Sequence, residues 1–537
     1  MRVLSTLFIS LALISCSQVA PLAESNAPST TTESRYLTVL HTNDNHGRFW
    51  ANEQGEYGMA ARQTLLKRLR QEASAAGHAV ILLSGGDINT GIPESDLQFA
   101  EPDFKGMAKL GYDAMALGNH EFDNPTSVLA KQIAWAQFPI LSANIIDNNT
   151  QKPAYQAYTV IEKQGLKIAV IGLTTTDTAK IANPDYIAGL SFQEPALVTL
   201  PLAKQIKQQY APDITIAVTH MGHYHNAAHG INAPGDVTLA RALPKGTLDV
   251  IIGGHSQEPV CVTDNGAEDT EFSPGKACKP DNQNGTWIMQ AHEWGKYVGK
   301  AEFKITNGKV ELLSYALLPV NLKNKSGQYV QDHILPDPDM LAFLTPYQEN
   351  GAKQLEGAVG QVSGFFDGER STVRFQQSPL ANLIISAQMA ATKADFGVIS
   401  GGGIRASIAA GEVSYKDILK VHPFKNRITY VDWPAQELLA YLDIVTRYPP
   451  DSGAFLQYHG IEFDISTDKI SNVKIQGQPL DMTKTYRMSI NSYNASGGDG
   501  YPTLNKRADY VDTSRTDAEV LKEYLQQHSP IQLDAYL

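Results

Sequence analysis

Asn119, His120 and Asp123 fall within the segment Gly-Asn-His-Glu-Phe-Asp, directly behind the apolar run 114–117. Four other apolar runs end in the same manner. Residues 37–40 lead to Asp44 and His46, and 79–83 lead through Gly85 and Gly86 to Asp87. Residues 214–218 lead to His220, and 250–252 lead through two glycines to His255. Carboxylate, imidazole and amide oxygen are the donors that borderline or hard divalent ions prefer, and no cysteine with ligand-like spacing accompanies them. A pair of such ions, about 3.5–4 Å apart, needs a shared carboxylate, further ligands on each side and room for water between. The chemistry indicated is therefore metal-assisted hydrolysis, with two divalent ions (Zn, Mn, Co or Mg) as cofactors.

Side chains so far apart in sequence meet only if the topology gathers them. From Tyr36 to about Pro319 apolar runs alternate with helical spacing: Leu65, Leu66, Leu69 and Ala73 precede one strand, and 196–209 precedes another. Continuous apolar strands alternating with helices predict an α/β domain whose sheet is buried on both faces. In such sheets ligands bind beyond the carboxyl ends of the strands, where Asp44, His46, Asp87, Asn119, His220 and His255 all stand.

At 537 residues the chain is long enough for two domains. Its start carries Arg2, an apolar run over 3–14 and the tetrapeptide Leu-Ile-Ser-Cys16. That run is too short to span a bilayer and reads as a secretory leader. The tetrapeptide resembles a bacterial lipobox, which implies lipidation of Cys16 and, with Ser17 behind it, sorting to the outer membrane of a Gram-negative bacterium; ordinary cleavage near Ala20 or Ala23 is the alternative. A Ser-, Thr- and Pro-rich tether follows to Ser34. Cys261 and Cys278 flank a polar loop and can pair in an oxidising compartment. The net charge of −12 argues against a nucleic-acid polymer as partner.

Asp44-Asn-His46, Gly85-Gly-Asp87, Gly118-Asn-His120 and Gly254-His255 are similar to the motifs of calcineurin-like metallophosphoesterases. Nearly the whole mature chain resembles the bacterial periplasmic 5′-nucleotidase/UDP-sugar hydrolase family. The resemblance implies one ion held by Asp44, His46, Asp87 and Gln257, and another by Asp87, Asn119, His220 and His255. Gln257 stands where superfamily relatives carry His, and a neutral amide holds its ion more weakly. The resemblance also makes His120 and Asp123 a catalytic dyad outside the metal shell, rather than His120 a further ligand. His223, His225 and His229 follow His220 closely and read either as a third metal site or as loop histidines.

Two Asp-Pro steps and a helical pattern over 340–355 mark a connecting helix. Beyond it, helical spacing at Leu380, Leu383, Ile384 and Ala387, strands near 396–399 and 486–490, and a helix over 435–445 give a second α/β core. Arg370, Arg374 and Arg405 are natural phosphate clamps in so acidic a chain. Phe424 and Tyr493 lie in turn-rich segments and serve either core packing or the stacking of a nucleobase. The resemblance favours stacking, although relatives often have Phe at the Tyr493 position. It places Asn426 and Asp499 at base and ribose, and the three arginines on the phosphate side.

The domain organisation expected is a leader over 1–15, a tether over 16–34, a dimetal phosphoesterase sandwich over 35–337, a hinge over 338–358 and a nucleotide-binding domain over 359–537. With the Cys16 tetrapeptide, the expectation is a lipid-tethered, monomeric enzyme of that family. It would release phosphate from nucleoside 5′-mono-, di- and triphosphates, and UDP-sugars, by attack of a hydroxide activated by two cations. The alternatives are a 2′,3′-cyclic-nucleotide phosphodiesterase/3′-nucleotidase and a nucleotide-capturing lipoprotein without turnover.

Overall fold

Residues 34–230, 232–466 and 470–537, apart from the Ser514 side chain, are described by a computed structural model. The leader, the tether and Cys16 lie outside the described residues. No helix among the described residues is long and apolar enough to cross a membrane.

The apolar runs form the parallel centres of two sheets. In the first, Arg35–Thr42, Ala79–Ser84, Ala114–Ala116 and Ile140–Leu141 run side by side, and the hairpin Tyr297–Thr306 and Lys309–Pro319 closes the other edge antiparallel. In the second, Thr286–Met289, Val250–Ile252, Ile214–His220 and Leu166–Thr174 are parallel, flanked by antiparallel Asp281–Gln283 and Tyr158–Lys163. Val39, Ile81 and Leu83 of one sheet share a core with Val170, Ile216 and Val250 of the other. Helices Met59–Ala75 and Glu101–Leu110 cover the outer face of the first, and Pro195–Tyr210 with Asp236–Ala242 cover the second. Each sheet is thus buried on both faces, once by its partner sheet and once by helices. The edge hairpin was not apparent in the sequence, because Tyr297–Thr306 alternates buried and half-buried residues instead of forming one apolar run.

The two sheets meet at the carboxyl ends of their central strands, backbone against backbone. A Cβ on Gly85 would lie 2.2 Å from the Gly253 carbonyl oxygen, and one on Gly254 would lie 2.6 Å from that of Gly85. Gly85 and Gly254 leave the room for this close approach.

Helix Pro338–Gln354 is started by Asp337, whose carboxylate accepts from the Met340 N–H at 3.0 Å, with Pro338 at the first turn. Met340 and Leu344 belong to the same core as the first sheet. The following five-stranded sheet runs in the order Leu456–His459, Phe396–Ser400, Thr485–Asn491, Arg427–Pro434, Tyr510–Thr516. Helices Pro379–Thr392 and Asp517–His528 cover one face and Ala435–Val445 the other.

Cys261 and Cys278 form a disulfide across a sequence separation of 17. A double Cys→Ala variant is expected to lose about 3 kcal/mol, the chain-entropy value for a loop of this length. The check is thermal unfolding, where an unchanged midpoint would show that other contacts hold the loop.

Candidate active site

Backbone strain marks the strand ends. Asp44, His46, Asp87, His255 and Gln257 have φ values of +51°, +49°, +55°, +84° and +59°. This left-handed region costs a non-glycine residue about 1–3 kcal/mol. Asn119 and His220 reach the same edge with ordinary backbones, His220 as the last residue of its strand.

The hydrogen bonds around these residues fix where their lone pairs point. His220 Nδ1 donates to the Gly85 carbonyl at 2.7 Å, which turns Nε2 towards Asp87 Oδ2 at 2.9 Å; burial disfavours the charge of this ring, but Asp87 raises its pKa to about 10. His46 Nδ1 donates to the Thr90 carbonyl at 2.9 Å, and its Nε2 faces Asp44 and Asp87 carboxylate oxygens at 3.8 Å each. His255 Nδ1 lies 3.3 Å from His220 Nε2, and the Gln257 amide nitrogen Nε2 lies 2.8 Å from His46 Nε2. Asn119 Oδ1 is buried without a partner. Buried carboxylates, imidazoles and an unpartnered amide oxygen gather at one place, and this donor set fits divalent metal. Asp87 with His46 and His120, and Asp87 with His220 and His255, form clusters of ligand spacing.

Electrostatics agree with the geometry. Burial, reinforced by the charge of Asp87, lifts the Asp44 carboxyl to about 7. Burial opposes ionisation of Asp87 too, but His220 and His120 outweigh it and hold that carboxyl well below the usual range. Burial pushes His46 and His255 down to about 3, so both rings are neutral as ligation requires.

His120 sits beside this cluster, in the turn His120–Phe122. Its Nδ1 lies 2.6 Å from Asp123 Oδ2, and its backbone N–H donates to Asp87 Oδ1 at 3.0 Å. Although burial disfavours its charge, Asp123 and Asp87 raise it to about 9. Phe424 of the C-terminal half stacks on the His120 ring at 6.2 Å and 7°, and the Arg405 guanidinium lies 5.7 Å from the centre of the Phe424 ring. Lys425 reaches the Asp96 carbonyl at 3.2 Å, and Lys416 pairs with Glu94 at 2.6 Å.

A cleft of about 630 Å³ lies between the two halves. Asp87, Asn119, His120, Asp123, His255 and Gln257 line it from one side, and Arg370, Arg374, Arg405, Phe424, Asn426, Tyr493 and Asp499 from the other. Asp44, His46 and His220 lie buried behind that wall. Burial and the charges of Arg405 and Arg370 push Arg374 down to about 10, the signature of cations crowded around one space. The Tyr493 ring lies flat on Gly498, where a Cβ would come within 2.3 Å, and its hydroxyl donates to Asp499 Oδ1 at 3.0 Å. Asp499 thereby accounts for tyrosine at this position. The histidines after His220 do not converge: His223 Nε2 meets Asp281 at 3.0 Å, His225 contacts Asn226 and His229 turns to the Asn232 carbonyl.

Residues 37–259 match the calcineurin-like phosphoesterase family model, and 358–506 match that of the 5′-nucleotidase C-terminal domain. A 5′-nucleotidase of Vibrio parahaemolyticus is 56% identical over 507 residues, covering 93% of this chain and 90% of that one. The chain belongs to the bacterial 5′-nucleotidase family. Protein UshA of Escherichia coli, of the same family, is 52% identical over 510 residues, or 93% of this chain and 92% of that one. The crystal structure of a 5′-nucleotidase precursor from Thermus thermophilus superposes with a TM-score of 0.71 at 28% identity, covering 92% of this chain and 96% of the other.

In this member of the family Glu121 also belongs to the site. Its fully buried carboxylate accepts backbone N–H groups of Ile88 at 2.8 Å, Asp87 at 3.2 Å and Gly118 at 2.7 Å, tying the Asp87 and Asn119 turns together. No local pattern marks this carboxylate, and only the fold shows it facing backbone N–H groups. Glu121→Gln sets an amide donor against those N–H groups. It is expected to cost about 2–3 kcal/mol of stability and weaken divalent-metal binding about 10–100-fold. Calorimetric titration of Mn or Zn checks this, and unchanged affinity would refute it.

Proposed function

We propose that this protein hydrolyses nucleoside 5′-monophosphates, and likewise di- and triphosphates and UDP-sugars, to nucleoside and phosphate for nutrient salvage outside the cytoplasm. The reading is carried by one observation: a single cleft is lined by the cation-demanding cluster, the His120–Asp123 pair, three arginines and two aromatic rings.

In this reading Asp44, His46, Asp87 and Gln257 hold one ion, and Asp87, Asn119, His220 and His255 a second. Such ions supply Lewis-acid polarisation of the phosphoryl group and an ionised water at neutral pH. Asn119 and protonated His120 face the phosphoryl oxygens. His120 delivers a proton to the departing 5′ oxygen, while Asp123 on Nδ1 keeps the ring charged and oriented. We place His120 outside the ligand shell because Asp123 engages one ring edge and Phe424 covers a face on the cleft side. Arg370, Arg374 and Arg405 clamp the remaining phosphate oxygens. Phe424 and Tyr493 stack the base, with Asn426 and Asp499 at base and ribose.

Phe424 rests against His120 in this arrangement, so a base enters between the rings only if the halves move. Because helix Pro338–Gln354 packs into the N-terminal core, we assign the hinge to residues 355–357, where Gly357 has φ +100° and open space around it. The proposal extends to a monomer tethered to the outer membrane through lipidated Cys16, which mass spectrometry of the N-terminal peptide would test.

Purified protein is expected to release phosphate from AMP and to leave 2′,3′-cyclic AMP intact. Chelation should abolish the activity and added divalent ion restore it. His120→Ala should lower kcat on AMP about 10²–10⁴-fold. Preference for the cyclic ester would overturn the assignment, and binding of AMP without turnover would show a capture protein. Joining Glu94→Cys to Lys416→Cys with a short bismaleimide should stop multiple turnovers, whereas unimpaired turnover would remove the hinge.

A further inference from the structure

Thr90 holds a backbone conformation that its own side chain disfavours. Its φ is +65°, a region where a β-branched residue is an outlier, and glycine or asparagine would sit there at less cost. Strain of this kind persists where the residue has a use. Two hydrogen bonds indicate that use. The Thr90 hydroxyl donates to Asp123 Oδ2 at 2.6 Å, the same oxygen that lies 2.6 Å from His120 Nδ1. The Thr90 carbonyl accepts from His46 Nδ1 at 2.9 Å. One residue therefore touches both the proposed acid dyad and a ring of the metal cluster, whose imidazoles meet edge to face at 5.0 Å.

We propose that Thr90 is a positioning residue for proton delivery to the leaving group. Its hydroxyl fixes the Asp123 carboxylate, and the carboxylate aims the His120 ring at the departing oxygen while the carbonyl keeps His46 in register with it. A carboxylate can turn about its terminal bond. Asp123 Oδ2 held by both Thr90 and His120 cannot turn without breaking two short hydrogen bonds. This rests on the nucleotidase reading above.

The strained backbone supplies a variant that separates folding from function. Glycine accepts φ +65° freely, which offsets the hydrogen bond and the chain entropy that the change costs, so Thr90→Gly should unfold close to the parent's midpoint and bind Mn with unchanged affinity. Thr90→Ser keeps the hydroxyl. The two are compared on AMP, whose alkoxide needs a proton to leave, and on p-nitrophenyl phosphate, whose phenolate leaves without one. Expected for Thr90→Gly is a fall in kcat on AMP of about 10–100-fold, with p-nitrophenyl phosphate within about threefold of the parent. Thr90→Ser should retain most activity on both. In an Asp123→Asn background, Thr90→Gly should add less than about a twofold loss on AMP. Parallel loss on both esters, full AMP activity in Thr90→Gly, or additive losses in the double variant would overturn the proposal. A parent protein inert towards both esters would overturn the nucleotidase reading, and this inference with it.

Discussion

Two buried carboxylates close together dominate this molecule. Asp44 and Asp87 are almost fully enclosed, with His46, His220 and an unpartnered Asn119 amide oxygen buried beside them. Left to itself such a cluster destabilises the fold, since burying uncompensated charge is costly. Its surroundings make sense as the means of holding it. Left-handed turns present the donors, glycines let two sheets touch, and Glu121 gathers the N–H groups of two loops. The two-sheet core behind them supplies the rigidity that keeps the strain from relaxing.

The same constraint explains why the chemistry is shared between two bodies. The metal cluster sits on one core and the arginines and aromatic rings on another, each with its own helices. In so acidic a chain, Arg370, Arg374 and Arg405 gather positive charge on one wall of the cleft. Phe424 brings the walls together by seating on His120, while Lys425 beside it and Lys416, on the preceding helix Tyr415–Val421, anchor to residues 94–96. A surface that closes over the reaction excludes water, which strengthens every charge interaction inside.

Much of this was legible before the fold was known. Apolar runs that end in Asp, His or Asn announce strand ends, because a strand buried on both faces must be apolar until it emerges. Tyr493 was legible only in part: its ring fits a stacking role, while its hydroxyl bond to Asp499 depends on a turn that brings residues six apart together. The histidines after His220 show the opposite case. Close spacing suggested a shared site, yet each side chain finds a different partner.

The amino-acid order by itself determined which donors exist and that they stand at strand ends, because periodicity and side-chain chemistry are local properties. Tertiary structure alone decided that Glu121 faces backbone N–H groups rather than a cation, that Thr90 holds Asp123, and that helix Pro338–Gln354 packs with the N-terminal core. Those outcomes depend on backbone direction and on contacts between segments distant in sequence, and no local pattern encodes where a carboxylate or hydroxyl points once the chain has turned.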